Sequence, residues 1–303
     1  MTMRSTNWAD ALDPRFIEFF DADYTNVPDY LEKFYPVRKG KLQTERFTQA
    51  GALPDMGQFT GSVTYNDASQ GYDSLFTPLE FAQGIQVERR LVDDDQHDII
   101  MNKPKQLAQT VRRRRETDAA RFLNNMFSVD TFFYENTEAV ALSSNSHTTT
   151  SGASTATGFD NYVTTAMSAT AVQALRIQML KHRNDQGQVI SINPDMLVHP
   201  IDLEENAYEI VKSQGKLDQA TNNVNFNEGR YKLASWIRFT DTNNWAMVDS
   251  ELMKRWGLCW FDRVKGEFAM VEDFDTLTGK WRAYCRWAGG HKDWRWFSGA
   301  EVS

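Results

Sequence analysis

Residues 41–95 restrict what this chain can become more than any other segment. They read as long strands joined by Gly- and Gln-rich turns, yet they hold few large aliphatic side chains from which to build a core. Ala50-Gly51-Ala52-Leu53-Pro54-Asp55-Met56-Gly57 has loop composition and Ser62-Val63-Thr64-Tyr65 strand composition, while Ile85, Val87, Arg89 and Leu91 alternate with Gln86, Glu88 and Arg90 at the two-residue period of a strand. An isolated two-stranded ribbon is marginal in water, so this one needs a surface to lie on. Residues 1–40 have the opposite difficulty. Asp13-Pro14 is a cap and first-turn signal ahead of Phe16, Ile17, Phe19 and Phe20, and Pro28 opens a second short helix with Tyr30, Leu31, Phe34 and Tyr35 that Pro36 stops. A piece this short cannot bury so many rings by itself, so the arm must rest on the body of its own chain or on a neighbour.

The body is large enough to offer such a surface. A chain of 303 residues implies two domains or one large one, and its charged share of 24% is ordinary for a globular protein. Aromatic residues reach 13%, which favours extensive packing within or between chains. The strongest helix spans about 103–126, with Pro104 in its first turn. At about 100° per residue, Leu107, Ala108, Val111, Ala119, Phe122 and Met126 fall within roughly 120° of arc. Arg112-Arg113-Arg114-Arg115 covers nearly the whole circumference of this rod, and Arg115 lands near the middle of the apolar stripe. A lone charge is costly to desolvate there, so Arg115 needs a carboxylate. Glu116 and Asp118 project roughly 100° and 60° away from it, so its partner should come from another element or another subunit.

Reaction chemistry is hard to find. His97, His147, His182, His199 and His291 are scattered without metal-ligand spacing, no Gly-rich phosphate loop is present, and Thr278-Gly279-Lys280 lacks the upstream glycine of one. Asp93-Asp94-Asp95 and Glu272-Asp273 are adjacent carboxylates, which point apart on a strand or helix and suit solvation better than acid/base work. No metal, cofactor or catalytic residue is assigned. Cys259 and Cys285 are too few for a disulfide framework, no apolar run reaches membrane-spanning length, and Met1 to Asp10 lack a signal-peptide core. The net charge of −8 argues against a surface that grips nucleic acid through its phosphates.

After a strand-like stretch at 129–142, the uncharged Ser- and Thr-rich segment 143–158 reads as a loop. Thr170 then caps a helix carrying Val172, Leu175, Met179 and Leu180, and residues 189–199 read as strand, turn, strand around Asn193-Pro194. A helix follows at 200–211 and a polar loop at 212–230. Short strands come at 236–239, 245–248, 258–263, 268–271, 280–287 and 294–297. On the strand 281–287, Trp281, Ala283, Cys285 and Trp287 share one face, which should be core.

This order of parts, ending in Trp281-Arg282-Ala283-Tyr284-Cys285-Arg286-Trp287-Ala288-Gly289-Gly290, resembles the major capsid proteins of tailed bacteriophages, the Hong Kong phage-type fold shared with encapsulin shells. The resemblance spans nearly the whole chain. It implies an α+β fold with an N-terminal arm (1–40), an extended two-stranded loop (41–95), a peripheral domain (96–165) with the spine helix 103–126, an axial domain (166–275), and strands 276–303 returning to the periphery. It implies a non-catalytic head protein that self-assembles, through hexameric and pentameric capsomers, into the icosahedral virion shell around the double-stranded DNA of a tailed phage. Assembly would occur in the host cytoplasm, with portal and scaffolding or decoration proteins as partners, DNA held without sequence-specific contacts, and no membrane. Phe16, Phe19, Phe20 and Arg115 are the expected inter-subunit contacts. Some relatives carry a long helical scaffold segment before the arm; only residues 1–40 precede the loop here, which implies a separate scaffolding protein or none. Two other readings compete: an encapsulin-like compartment shell, and a carbohydrate-active enzyme using Trp236, Trp245, Trp256, Trp260, Trp281, Trp287, Trp294 and Trp296 near acids.

Overall fold

The computed structural model describes residues 30–63, 65–67, 69–90, 103–215, 224–273 and 275–303. Phe16, Phe19, Phe20 and the acidic run at 93–95 lie outside the described residues. The second helical signal of the arm forms a single turn, α1 (Leu31–Phe34), that lies on its own chain. Leu31, Phe34 and Tyr35 are buried, and the Phe34 ring stacks on Trp236 with centroids 4.9 Å apart.

The polar segment finds its surface through three strands. Strand β1 (Val37–Lys39) runs parallel to the first half of a sixteen-residue strand, β10 (Leu258–Asp273). Strands β2 (Glu45–Ala50) and β3 (Gln70–Phe76) pair antiparallel, and β3 continues onto β5 (Tyr134–Asn136). Strand β4 (Leu79–Glu88) pairs along its whole length with β11 (Thr278–His291), giving the four-stranded order β1-β10-β11-β4. The alternation at Ile85 and Val87 is therefore a real strand. Ser62-Val63 and Tyr65 are not: with no strand to pair with, Val63 and Tyr65 stay exposed and the segment is irregular.

The spine helix α2 (Lys103–Ala119) buries Leu107, Ala108, Val111 and Ala119 against this sheet. The sequence pattern runs on to Met126, and Phe122 and Met126 are buried as it requires, but the helix stops sooner. Tyr35 donates its hydroxyl hydrogen bond to the Ala119 carbonyl at 3.0 Å, and the Leu123 N–H turns to Ala120 instead. A separate turn, α3 (Arg121–Asn124), carries the apolar face onward.

A second layer has five strands. Their order is β6 (Tyr162–Val163), β12 (Phe297–Ala300), β9 (Trp245–Val248), β7 (Met196–His199) and β8 (Lys232–Ser235). Helices α4 (Ala169–Met179) and α5 (Glu204–Lys212) bury Val172, Leu175, Met179, Ile210 and Val211 with Leu197, Trp245 and Met247 of this sheet in a smaller second core. The cap of α4 is Ser168, two residues before Thr170, its hydroxyl accepting from the Ala171 N–H. Four expected strands move or shrink. Residues 189–192 make only an isolated bridge from Val189 to Arg183. At Trp236 and Trp294 the backbone turns, with Phe239 N–H bonding Trp236 and Phe297 N–H bonding Trp294, so the strands lie just before the first and from Phe297 after the second. Of residues 129–142 only Tyr134–Asn136 pairs, because β3 ends at Phe76 opposite Tyr134 and, past Asn136, the chain turns away with Ala139 at positive φ. Residues 258–263 and 268–271 merge into the bulged β10.

The face of β11 behaves as its alternation demands: Trp281, Ala283, Cys285 and Trp287 are buried. Burial pushes the Cys285 thiol up to about 12 and the Cys259 thiol up to about 11, so both remain protonated and inert. The end of β11 needs glycine for space. A Cβ on Gly289 would run into the Trp260 ring, and one on Gly290 into the Tyr134 ring. Gly290→Ala is expected to cost about 1–3 kcal/mol by overpacking, whereas Gly57→Ala, with open space around it, should leave stability unchanged; thermal unfolding of the two variants checks this.

Candidate functional site

The spine helix is held to the sheet by charge as well as by apolar contact. Arg115 is 3% exposed, and its guanidinium donates to Asp262 Oδ2 of β10 at 2.8 Å. The other carboxylate oxygen accepts from Trp260 Nε1 at 2.8 Å, and the Trp260 ring lies under the guanidinium with its centroid 5.9 Å away. Of the two sources expected for the Arg115 partner, another element or another subunit, the structure shows the first. One helical turn on, Asp118 accepts from Trp287 Nε1 of β11 and from Arg114 Nε, each at 3.0 Å. Burial raises the Asp118 carboxyl above its ordinary value in spite of those donors. Arg114 also lies over the Phe81 ring at 4.5 Å, whereas Arg113 projects into solvent. The four arginines thus divide by direction around the rod. Asp262 had a signal of its own, an acid directly following Leu258-Cys259-Trp260-Phe261.

The next clasp joins α3 to the loop before β5. Arg121 donates to both oxygens of Asp130, from Nη2 at 2.7 Å and from Nε at 3.0 Å. Burial would raise the Asp130 carboxyl, but Arg121, Asn125 and the Phe132 N–H together hold it below the ordinary range. Beyond it, His291 Nδ1 meets the Tyr134 hydroxyl at 2.5 Å. Around Trp294, His147 stacks on the indole at 4.1 Å, with Nδ1 3.1 Å from Glu138 and Nε2 3.2 Å from the Asn161 side-chain oxygen; His182 meets the same ring edge-on. Burial pulls His182 and His291 down to about 4.

Along the ribbon, two surfaces stay uncovered among the described residues. At the far end of the ribbon Leu53, Met56, Phe59, Val63 and Tyr65 are exposed, Met56 completely. At its base a cleft of about 610 Å³ runs between the start of the ribbon hairpin and the second layer, lined by Phe47, Gln49, Ile190, Leu252, Trp256 and Lys292 among others. The tryptophans of the last third do not make a sugar platform. Every one of those named above is buried except Trp256.

A chain with a closed core and a projecting ribbon of exposed apolar side chains is a subunit, made to be completed by other copies. Comparison with known proteins agrees. The family described as phage capsid protein matches residues 71–298. The fold is that of the capsid of an empty GTA particle (TM-score 0.60, 13% identity, 91% of this chain and 90% of that one) and of the mature capsid of bacteriophage PhiM1 (TM-score 0.58, 10% identity, 91% and 88%). A chain of Microbacterium phage Oxtober96 superposes with a TM-score of 0.54 at 9% identity, over 91% of this chain and 92% of that one. No curated protein matches. The chain belongs to the phage capsid protein family, and its role is the structural one of a major capsid protein in an icosahedral phage shell, which the family match favours over the encapsulin-like reading. Among the described residues no helix is long and apolar enough to cross a membrane.

Two outcomes follow from the clasps. Arg115→Ala strands Asp262 in the core and should cost about 3–5 kcal/mol, read as a lost or strongly lowered unfolding transition, while Arg113→Ala should cost little. The unfolded imidazoles of His182 and His291 titrate near 6.5 and the folded ones near 4, so the unfolded chain binds more protons between those values and stability falls as pH drops through that window. Each histidine contributes roughly 3 kcal/mol at most. Unfolding midpoints at pH 7 and pH 4.5 should differ sharply, and the difference should shrink in His182→Gln/His291→Gln.

Proposed function

We propose that copies of this chain form the hexameric and pentameric capsomers of a head that encloses the double-stranded DNA of a tailed phage, acting without catalysis. In this reading residues 1–40 are an arm, 41–95 the extended loop, 96–165 the peripheral domain with its spine helix, 166–275 the axial domain, and 276–303 the strands that return to the periphery. Phe16, Phe19 and Phe20 are the arm's anchors, on the body of its own chain or of a neighbouring copy. Portal and scaffolding or decoration proteins are its other partners, and assembly takes place in the host cytoplasm.

The observation that carries this reading is the uneven distribution of unburied apolar surface. Strands β2 and β3 are anchored at their base, where Phe47 and Phe76 pack on Phe261 with centroids 5.6 and 5.5 Å away. Further out, Leu53, Met56, Phe59, Val63 and Tyr65 are exposed. A closed ring of copies can cover such a projection on every subunit at once, because a heterologous contact that closes leaves no copy unsatisfied. The net charge of −8 suits a wall that holds DNA without gripping it, since phosphate binding needs a local excess of cations.

Replacing residues 52–68 by a short Gly-Ser turn removes the exposed rings and leaves β2, β3 and their anchors in place. The variant should keep its unfolding transition and circular dichroism but form no shells under electron microscopy. Shells of normal size and yield from this variant would overturn the reading of the ribbon as an assembly element.

A further inference from the structure

The cleft at the base of the ribbon is lined on one side by Phe47 and residues 49–52 and on the other by Ile190, Leu252, Trp256 and Trp296. Trp256 is 57% exposed and sits on a π-helical turn, Met253–Gly257. Turns of this kind are rare and gather at functional positions. Lys292 is fixed between the two walls: its N–H bonds the Gly257 carbonyl at 2.8 Å, and its carbonyl accepts from Gln49 Nε2 at 2.6 Å. Its half-buried ammonium lies 5.3 Å from the centre of the Phe47 ring, and among the described residues no carboxylate comes within ion-pair distance of it. The acids of the cleft are otherwise engaged, Asp185 by the Ala52 N–H and Asp293 by Arg295. Burial, with Arg38 nearby, holds the Lys292 ammonium below its usual range although Asp293 acts against it.

An apolar cleft holding one cation outside any described ion pair selects aromatic side chains next to a carboxylate. The chain contains such a segment. Phe16-Ile17-Glu18-Phe19-Phe20-Asp21-Ala22-Asp23-Tyr24 alternates rings with acids and has no Lys or Arg. It is tethered nearby: Tyr30 stacks on Trp236 at 6.2 Å, Trp236 meets Phe122 at 6.3 Å, and Phe122 meets Trp296, a wall of the cleft, at 6.2 Å. The chain between Tyr24 and Tyr30 can span up to about 20 Å when extended.

We propose that this cleft is the docking site of the aromatic, acidic arm segment 16–24, which sets a ring against Trp256 and a carboxylate on the Lys292 ammonium. The proposal rests on the reading of residues 1–40 as an arm that needs cover, and it names the place where that cover is found. It also gives Lys292 and the π-helical turn a task that the shell reading alone does not.

The test uses the full-length chain with the photoreactive residue p-benzoylphenylalanine in place of Trp256, illuminated as assembled and digested with trypsin. The expected product is a crosslink to the peptide Phe16 to Lys33. Mixed heavy- and light-isotope subunits show whether the arm comes from the same chain or a neighbour, and either origin supports the proposal. Lys292→Met should lower the crosslink yield about fivefold and Lys292→Arg restore it. Crosslinking to the ribbon peptide, Phe47 to Arg89, or to no peptide at all overturns the docking site and leaves the shell reading intact. Failure of the unmodified chain to form particles would count against the shell reading alone, since the crosslink is read in whatever species forms.

Discussion

The ion pair between Arg115 and Asp262 is the interaction on which the rest of the arrangement depends. Burying an arginine in the middle of a helix's apolar stripe is unfavourable unless a carboxylate meets it, and the carboxylate comes from the strand that organises the main sheet. Strand β10 takes β1 on one side and β11 on the other, and β11 in turn takes β4. Fixing the helix on β10 therefore fixes it relative to the base of the ribbon as well. Apolar contact alone would tolerate a helix sliding by a residue or rotating by some tens of degrees. A charge pair with a tryptophan N–H on its second oxygen does not, and Asp118 with Trp287 repeats the constraint one turn further along.

Rigidity and incompleteness are thus divided between regions of one chain. The spine helix, the two sheets and the tryptophan-rich last strands bury their rings in two cores, and a buried ion pair clasps the helix to the sheet. The far end of the ribbon buries nothing. A shell subunit needs both properties, because a contact surface transmits curvature only if the body behind it keeps its shape. The acidity of the chain fits the same division, in that charge keeps free subunits soluble while apolar side chains on a projection supply the attraction between them.

Much of this was legible in the sequence wherever the pattern was local and repeated. The stripe Leu107, Ala108, Val111, Ala119 set the face of the spine helix, and its conflict with Arg115 pointed to a carboxylate from elsewhere. The alternation in β11 set which of Trp281 to Trp287 would be buried. The misread segments have a common cause, which is that a strand exists only where a partner strand lies. Ser62-Val63 has strand composition and lies outside every strand pairing, and Val189-Ile190 finds only the isolated bridge to Arg183. Trp236 and Trp294 read as strand because rings are common there, whereas here they anchor turns. The helix break at Ala119 could not be read locally either, since its cause is a hydroxyl from Tyr35 far upstream. Nor could the cleft, whose walls come from six separated segments.

The pairing of β4 with β11 carries a consequence for timing. One strand lies within residues 79–88 and the other within 278–291, and neither has another antiparallel partner along its full length except through β10. During synthesis the ribbon emerges first and must wait, its base unfastened, until almost the whole chain has left the ribosome. Long-range pairing of this kind is slow and leaves polar backbone edges open in the meantime. The delay has a useful side. A ribbon that cannot be aimed until β11 arrives cannot engage a neighbour correctly either, so the order of translation itself holds back polymerisation on unfinished chains.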